Sequence, residues 1–144
     1  MTVRNGSAEW HGNVQDGSGT VVVGDGVFAG AYSYDSRFGD GNGTNPEQLL
    51  AAAHASCFTM ALSNILSAAG HAPESLRTTA RVQLRNLDGA PTLARIDLAT
   101  EGRVPGVDEQ QFQAHADEAK RVCPVSRALA GIPEIVLTAK LVAG

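Results

Sequence analysis

The sequence predicts an α+β fold, and three observations predict it. Short β-prone runs punctuated by glycine fill the first third of the chain. One long apolar stretch of helical character follows at about residues 46–69, and two alternating strands, two further helices and a last strand complete the order βββ-α-ββ-α-α-β. With 144 residues, the chain is read as one domain spanning 1–144, because about 100–200 residues per domain leaves no room for two full cores.

The elements follow in turn. "AEWHGNV", "GTVVVG" and "GVFAGAYSY" are separated by "QDGSG" and "GDG", and D-G pairs between such runs signal hairpins, so a three-stranded meander is predicted over about residues 8–34. The glycine-rich "DSRFGDGNGTNPEQ" predicts an irregular loop carrying Arg37. Thr44 or Asn45 can cap the next helix, Pro46 suits its first position, Glu47 faces the positive end of its dipole, and Gly70 stops it. Leu49, Leu50, Ala53, Cys57, Met60, Ala61 and Ile65 outline one face. Ala51, Ala52, Ala55, Phe58, Leu62 and Leu66 leave little polar surface on the other. A helix apolar nearly all round is expected to be central, wrapped by a sheet or by a partner subunit.

Two strands are predicted near 76–87 and 92–103, turning at "NLDGAP". In the second, Leu93, Arg95, Asp97 and Ala99 alternate with Ala94, Ile96, Leu98 and Thr100, which gives one buried face. "VDEQQFQAHADEAKRV" is an amphipathic helix over about 108–122, acidic early and basic late. "CPVSRALAGI" reads as a short helix opened by Pro124 and stopped by Gly131, and "EIVLTAKLV" as the final strand.

Composition narrows the function classes. A hydrophobic content of 43% with 18% charged residues is ordinary for a globular protein, and no run approaches the ~18 uninterrupted apolar residues of a membrane span, so no membrane partner is expected. The opening "MTVRNGSAEWHGNVQDG" lacks an apolar stretch behind its arginine, so it is not read as a secretory signal and a cytoplasmic location is expected. The net charge of −4, with Lys120–Arg121 the only adjacent basic pair, argues against nucleic acid. Cys57 and Cys123, 66 positions apart, fit no zinc spacing, and no metal or cofactor is expected.

The cysteines carry the chemistry. Cys123 precedes a proline that opens a helix, a cap-like position where free N–H groups can lower a thiol's pKa; an inert capping cysteine is the plain alternative. Cys57 lies in mid-helix, where burial raises its pKa, so reactivity needs a cation from elsewhere. Arg37 is the candidate, although by itself it reads as a solvated loop arginine, and Glu47 by itself as a dipole partner. His54, three residues before Cys57, could serve as a base but reads better as a buried or interface histidine; His115 reads as a packed core histidine.

Together "NPEQLLAAAHASCFTMAL", Arg37 in "RFGDGNGTNPEQLL", and "VCPVSRAL" resemble the OsmC/Ohr family of thiol peroxidases, over nearly the whole chain. Arg37, twenty residues before Cys57, is placed as in the OsmC branch. The resemblance implies strands in antiparallel sheets wrapped around a long central helix in an intertwined homodimer. It implies Cys57 as peroxidatic thiolate, Cys123 as resolving thiol, and Arg37 with Glu47 as the activating pair. It further implies an organic hydroperoxide substrate, no cofactor, and a dithiol reductant, typically a lipoylated protein.

Glu47 and Cys57 are ten residues apart on one predicted helix, hence ~15 Å along its axis and ~80° round it. The site is therefore expected to be composite, with Arg37, Glu47 or both delivered from a second subunit. Phe38, Phe58 and Met60 are expected to line its apolar pocket. Two other readings stay open: a redox-responsive binding protein switched by a Cys57–Cys123 disulfide without turnover, and a structural protein with inert cysteines.

Overall fold

Glycine punctuation and alternation set the first strands of the computed structural model, which describes residues 1–143. The chain clusters into two compact units, Met1–Leu49 and the remainder from Leu50 onward. In the first unit, β1 (Gly6–His11), β2 (Ser18–Val23) and β3 (Phe28–Tyr32) form an antiparallel meander. Trp10 packs edge-on to Tyr32 at 5.2 Å, and its indole N–H donates to the carbonyls of Gly12 and Asn13. Gly19 lies beneath both rings, where any Cβ would collide with them.

The expected irregular loop around Arg37 is corrected. Tyr34–Phe38 is a short helix, α1, because Ser33 and Ser36 form a reciprocal capping box that satisfies two backbone N–H groups. The buried Ser36 hydroxyl also donates to the carbonyls of Thr44 and Ser33. Thr44 bridges to Tyr32, and Asn45 caps α2 by accepting from the Gln48 N–H while its amide donates to the Ser36 carbonyl.

Helix α2 runs from Pro46 to Ala68, close to the expected span. Its buried stripe is His54, Phe58, Leu62 and Leu66, whereas Ala52, Ala53, Ser56, Met60 and Asn64 are exposed. Within this chain α2 is thus buried along one stripe, not on all sides as its apolar composition suggests. The bulky Phe58, Leu62 and Leu66 repeat at four-residue spacing and form the ridge that fills a groove, while Ala53 and Met60 lie outside it. By length and composition α2 is apolar enough to cross a membrane, having no Asp, Glu, Lys or Arg after Glu47, although His54, Ser56, Thr59, Ser63 and Asn64 interrupt its apolar run. Here its ridge packs into a core.

In the second unit β4 (Ser75–Leu87) and β5 (Ala90–Arg103) make a long antiparallel hairpin. It turns at Asp88–Gly89, both at positive φ, the backbone that a tight hairpin demands. Ala94, Ile96, Leu98, Thr100 and Gly102 are the buried alternate residues of β5, as alternation predicted. Then follow α3 (Glu109–Val122), α4 (Pro124–Ala128) and β6 (Glu134–Leu141). β6 pairs parallel to β5, so this sheet joins one antiparallel and one parallel pair. A strand reached through a helical crossover returns in its predecessor's direction.

Phe58, Leu62 and Leu66 meet Ile96, Leu98, Val104, Phe112, Ala116, Ala119 and Cys123 in one core. A ladder of hydroxyls joins helix to sheet beside it: Thr59 donates to Thr78, which bonds Thr100.

Candidate active site

In the first unit the last turn of α1 presents Arg37 and the first turn of α2 presents Glu47. The Arg37 Nε donates to both Glu47 carboxylate oxygens at 3.2 Å, and Nη2 donates to Oε1 at 2.7 Å. This forked, charge-assisted geometry fixes the plane of the guanidinium. Glu47 is buried at 9% exposure, whereas the Arg37 side chain keeps 36%, so one cationic edge remains free to meet another group. The guanidinium also lies 5.3 Å from the centroid of the Phe38 ring. An open cavity of ≈ 210 Å³ beside it is lined by Trp10, Val14, Tyr32, Tyr34, Arg37 and Phe38. Such walls suit an apolar molecule carrying one polar group.

The second unit brings the two cysteines together. Both are reduced; Cys57 is half-buried and Cys123 is fully buried. Burial pushes the Cys57 thiol up, the Val125 N–H draws it down, and contact with Cys123 raises it again. Its pKa lies above the ordinary thiol value.

Cys123 closes α3 and opens α4, as its place before Pro124 predicted. No side-chain cap hydrogen bond of ordinary geometry forms, yet the N–H groups of Ser126 and Val125 face the sulfur. Burial pushes this thiol up, but those N–H groups, the Cys57 thiol and the Ser126 hydroxyl outweigh it, and its pKa lies below the ordinary value.

His54 is fully buried, as expected, and its Nε2 lies 2.6 Å from the Ser126 hydroxyl oxygen. Ser126 was not singled out from sequence. The available signal was its place three residues after Cys123, where a side chain can turn back to a helix's capping residue. His115 is only half-buried, which corrects its assignment to the core, since it sits at the margin of the Phe112–Ala116–Ala119 stripe. Phe58 is fully buried and belongs to the core. Phe38 lines the Arg37 cavity, and Met60 borders a separate depression with Thr59, Ser63 and Leu76. Among the described residues, no cluster of three or more His, Cys, Asp or Glu side chains is placed to hold a metal ion.

Two thiols in contact, with the more accessible one less acidic, can pass between dithiol and disulfide states without a cofactor. The sequence model described as OsmC-like protein matches residues 39–138. The chain belongs to the OsmC-like protein family. It is 44% identical over 131 residues to peroxiredoxin OsmC of Escherichia coli K12, covering 90% of this chain and 92% of that protein. It is also 35% identical over 101 residues to an organic hydroperoxide resistance protein of Xanthomonas axonopodis pv. citri, covering 68% of each. The crystal structure of an organic hydroperoxide resistance protein from Elizabethkingia anophelis matches the OsmC-like fold with a TM-score of 0.75 at 27% identity, covering 99% of both chains.

Proposed function

We propose that this protein is a thiol-dependent peroxidase that reduces organic hydroperoxides to alcohols. Cys57 is the nucleophile, Cys123 the resolving thiol, and Arg37 with Glu47 the activating pair. The observation that carries this reading is the unequal access of two adjacent thiols: Cys57 is half-buried, and Cys123 has no exposure through which a substrate could enter. The names of the relatives, peroxiredoxin and organic hydroperoxide resistance protein, support the same reaction class.

The Cys57 thiolate attacks the terminal peroxide oxygen. The O–O bond breaks, an S–O bond forms, and the departing alkoxide takes a proton to become the alcohol. Cys123 then attacks the sulfenic sulfur, forming the disulfide and expelling hydroxide, which is protonated to water. A dithiol restores both thiols by exchange and is itself oxidised; a protein-bound dihydrolipoyl group fits this role.

Because burial raises the Cys57 pKa, ionisation at neutral pH calls for a cation. Arg37, held by Glu47, is the group we assign to it. Glu47 and Cys57 are ten residues apart along α2, which favours a homodimer in which a second subunit supplies one or both members of the pair. The chain then works as one OsmC-like domain in a reducing, cytoplasmic compartment. A fully active monomer at working concentration would sink the composite site.

The decisive experiment is turnover of cumene hydroperoxide with dihydrolipoamide for wild type, Cys57→Ser and Cys123→Ser. The reading expects turnover by wild type, none by Cys57→Ser, and about one equivalent consumed by Cys123→Ser before it stalls. Stoichiometric disulfide formation without catalysis would instead identify a redox-responsive binding protein.

A further inference from the structure

We propose that the buried hydrogen bond between His54 and Ser126 is a latch that fixes the register of α4 against α2 and so holds Cys123 within bonding reach of Cys57. Neither His54 nor Ser126 has a part in the reaction outlined above. The inference rests on that reading only for the use made of the disulfide.

The buried stripe of α2 reads His54, Phe58, Leu62 and Leu66 at four-residue spacing. An apolar side chain would pack at the first of these positions as it does at the other three. The imidazole is instead fully buried with its Nδ1 lacking a partner among the described residues, a cost that an apolar side chain would avoid. Its other nitrogen, Nε2, lies 2.6 Å from the hydroxyl of the buried Ser126, 72 residues away in sequence. Packing alone leaves His54 unexplained; the bond it makes across to α4 explains it.

Helix α4 needs such a bond. It has five residues, far below the ~12–15 at which a helix is stable on its own, and no side chain caps its start. The Cys123 N–H ties it back to α3 by donating to the Ala119 carbonyl. Val125 and Leu129 pack on the core, but apolar burial is non-directional and tolerates sliding. Among the described residues, His54–Ser126 is the one side-chain hydrogen bond that joins α4 to another element.

Both ends of that bond lie one turn from a cysteine. Cys57 is three residues after His54 on α2, and Cys123 is three before Ser126, as the capping residue of α4. Residues three apart on a helix stand ~5–6 Å from each other on one face. Cys123 belongs to the core, and Cys57 packs against the same cluster. A disulfide forms only where the two Cα atoms lie within ~7 Å, so a slide of α4 by a single turn, ~5.4 Å, would part the sulfurs. A directional bond one turn from each cysteine opposes that slide. In resolution the Cys123 thiolate attacks the Cys57 sulfenic sulfur, the S–S bond forms, the S–O bond breaks, and hydroxide leaves as water after protonation. His54 and Ser126 exchange no proton in that step and are positioning residues.

The test is the equilibrium of the Cys57–Cys123 disulfide with reduced and oxidised dithiothreitol, which needs neither peroxide nor turnover. Ser126→Ala and His54→Phe should each shift it about three- to tenfold toward the dithiol, and the double variant should shift it little further than either. Ser126→Thr and His54→Gln, which keep the hydroxyl and a polar group at the Nε2 position, should hold it near the parent value. A bond that served only the fold would lower the urea midpoints of the dithiol and disulfide forms alike and leave the exchange equilibrium unmoved. An unmoved equilibrium in Ser126→Ala would therefore overturn the latch. A shift just as large in both conservative variants would overturn the hydrogen bond's part in it. Should His54→Phe not fold, the Ser126 variants and His54→Gln decide alone. After one equivalent of cumene hydroperoxide, the Cys57 sulfenic acid trapped by dimedone should also persist about three- to tenfold longer in Ser126→Ala than in wild type. Wild type without catalysis but with the stated shifts would keep the latch and remove the peroxidase reading; turnover with unmoved equilibria would do the reverse.

Discussion

Glu47→Gln isolates the forked pair that orients Arg37. The substitution keeps the side chain's size and one carbonyl acceptor but removes the charge, and the geometry it disturbs comprises bonds of 3.2, 3.2 and 2.7 Å. Hydrogen bonds to charged groups contribute about 1.5–3 kcal/mol in sheltered sites. Arg37 is more than a third exposed, so screening by water reduces this to a coupling of about 1–2 kcal/mol. A barrier change of that size is about 5–30-fold in rate. The assay is kcat/KM for cumene hydroperoxide at fixed dihydrolipoamide in a four-cornered cycle of wild type, Glu47→Gln, Arg37→Gln and the double variant. Glu47→Gln should slow wild type by about 5–30-fold yet cost little once Arg37 is gone. Additivity within ~0.5 kcal/mol would show that the two residues do not act as a unit, and the activating role of Glu47 would fail.

Two further outcomes follow from the core and from His54. Phe58→Ala removes the ring at the centre of the α2 ridge and should destabilise the fold by about 3–5 kcal/mol in urea, whereas Met60→Ala, in the exposed part of the helix, should stay within about 0.5 kcal/mol in the monomeric chain; similar losses would refute the assigned ridge. For His54, burial lowers the folded pKa from the ordinary 6.5, so the unfolded chain takes the proton first. Stability is therefore held above that value and lost as pH falls below it, by at most ~1.4 kcal/mol per pH unit. Urea melts of wild type and His54→Gln should diverge in slope below about pH 6.5, and parallel slopes would show that His54 takes its proton freely within the fold.

Much of the architecture was legible because it is written in local chemistry. Asp88 and Gly89 stand where a tight hairpin needs positive φ, and the buried alternation of β5 was visible before its partners were known. The helix span was marked at both ends by Asn45–Pro46 and Gly70. Near Arg37 the same kind of reading failed. Glycines suggested an irregular loop, but the Ser33–Ser36 box and the Ser36–Thr44 bond form a helix there, and those depend on chain segments meeting. In α2 the uniformly apolar composition hid which stripe is buried, since periodicity cannot mark a face where nearly every residue qualifies.

The cysteines divide in the same way. Local sequence determined that Cys123 caps a helix and that Cys57 sits within one, because caps and helix interiors are set by neighbours a few residues away. Tertiary structure alone decided that β6 runs parallel to β5, that the sulfurs meet, and that His54 finds Ser126 across 72 residues. Each of these depends on which surfaces bury together, a global balance of packing and hydrogen bonding to which no short window of sequence has access.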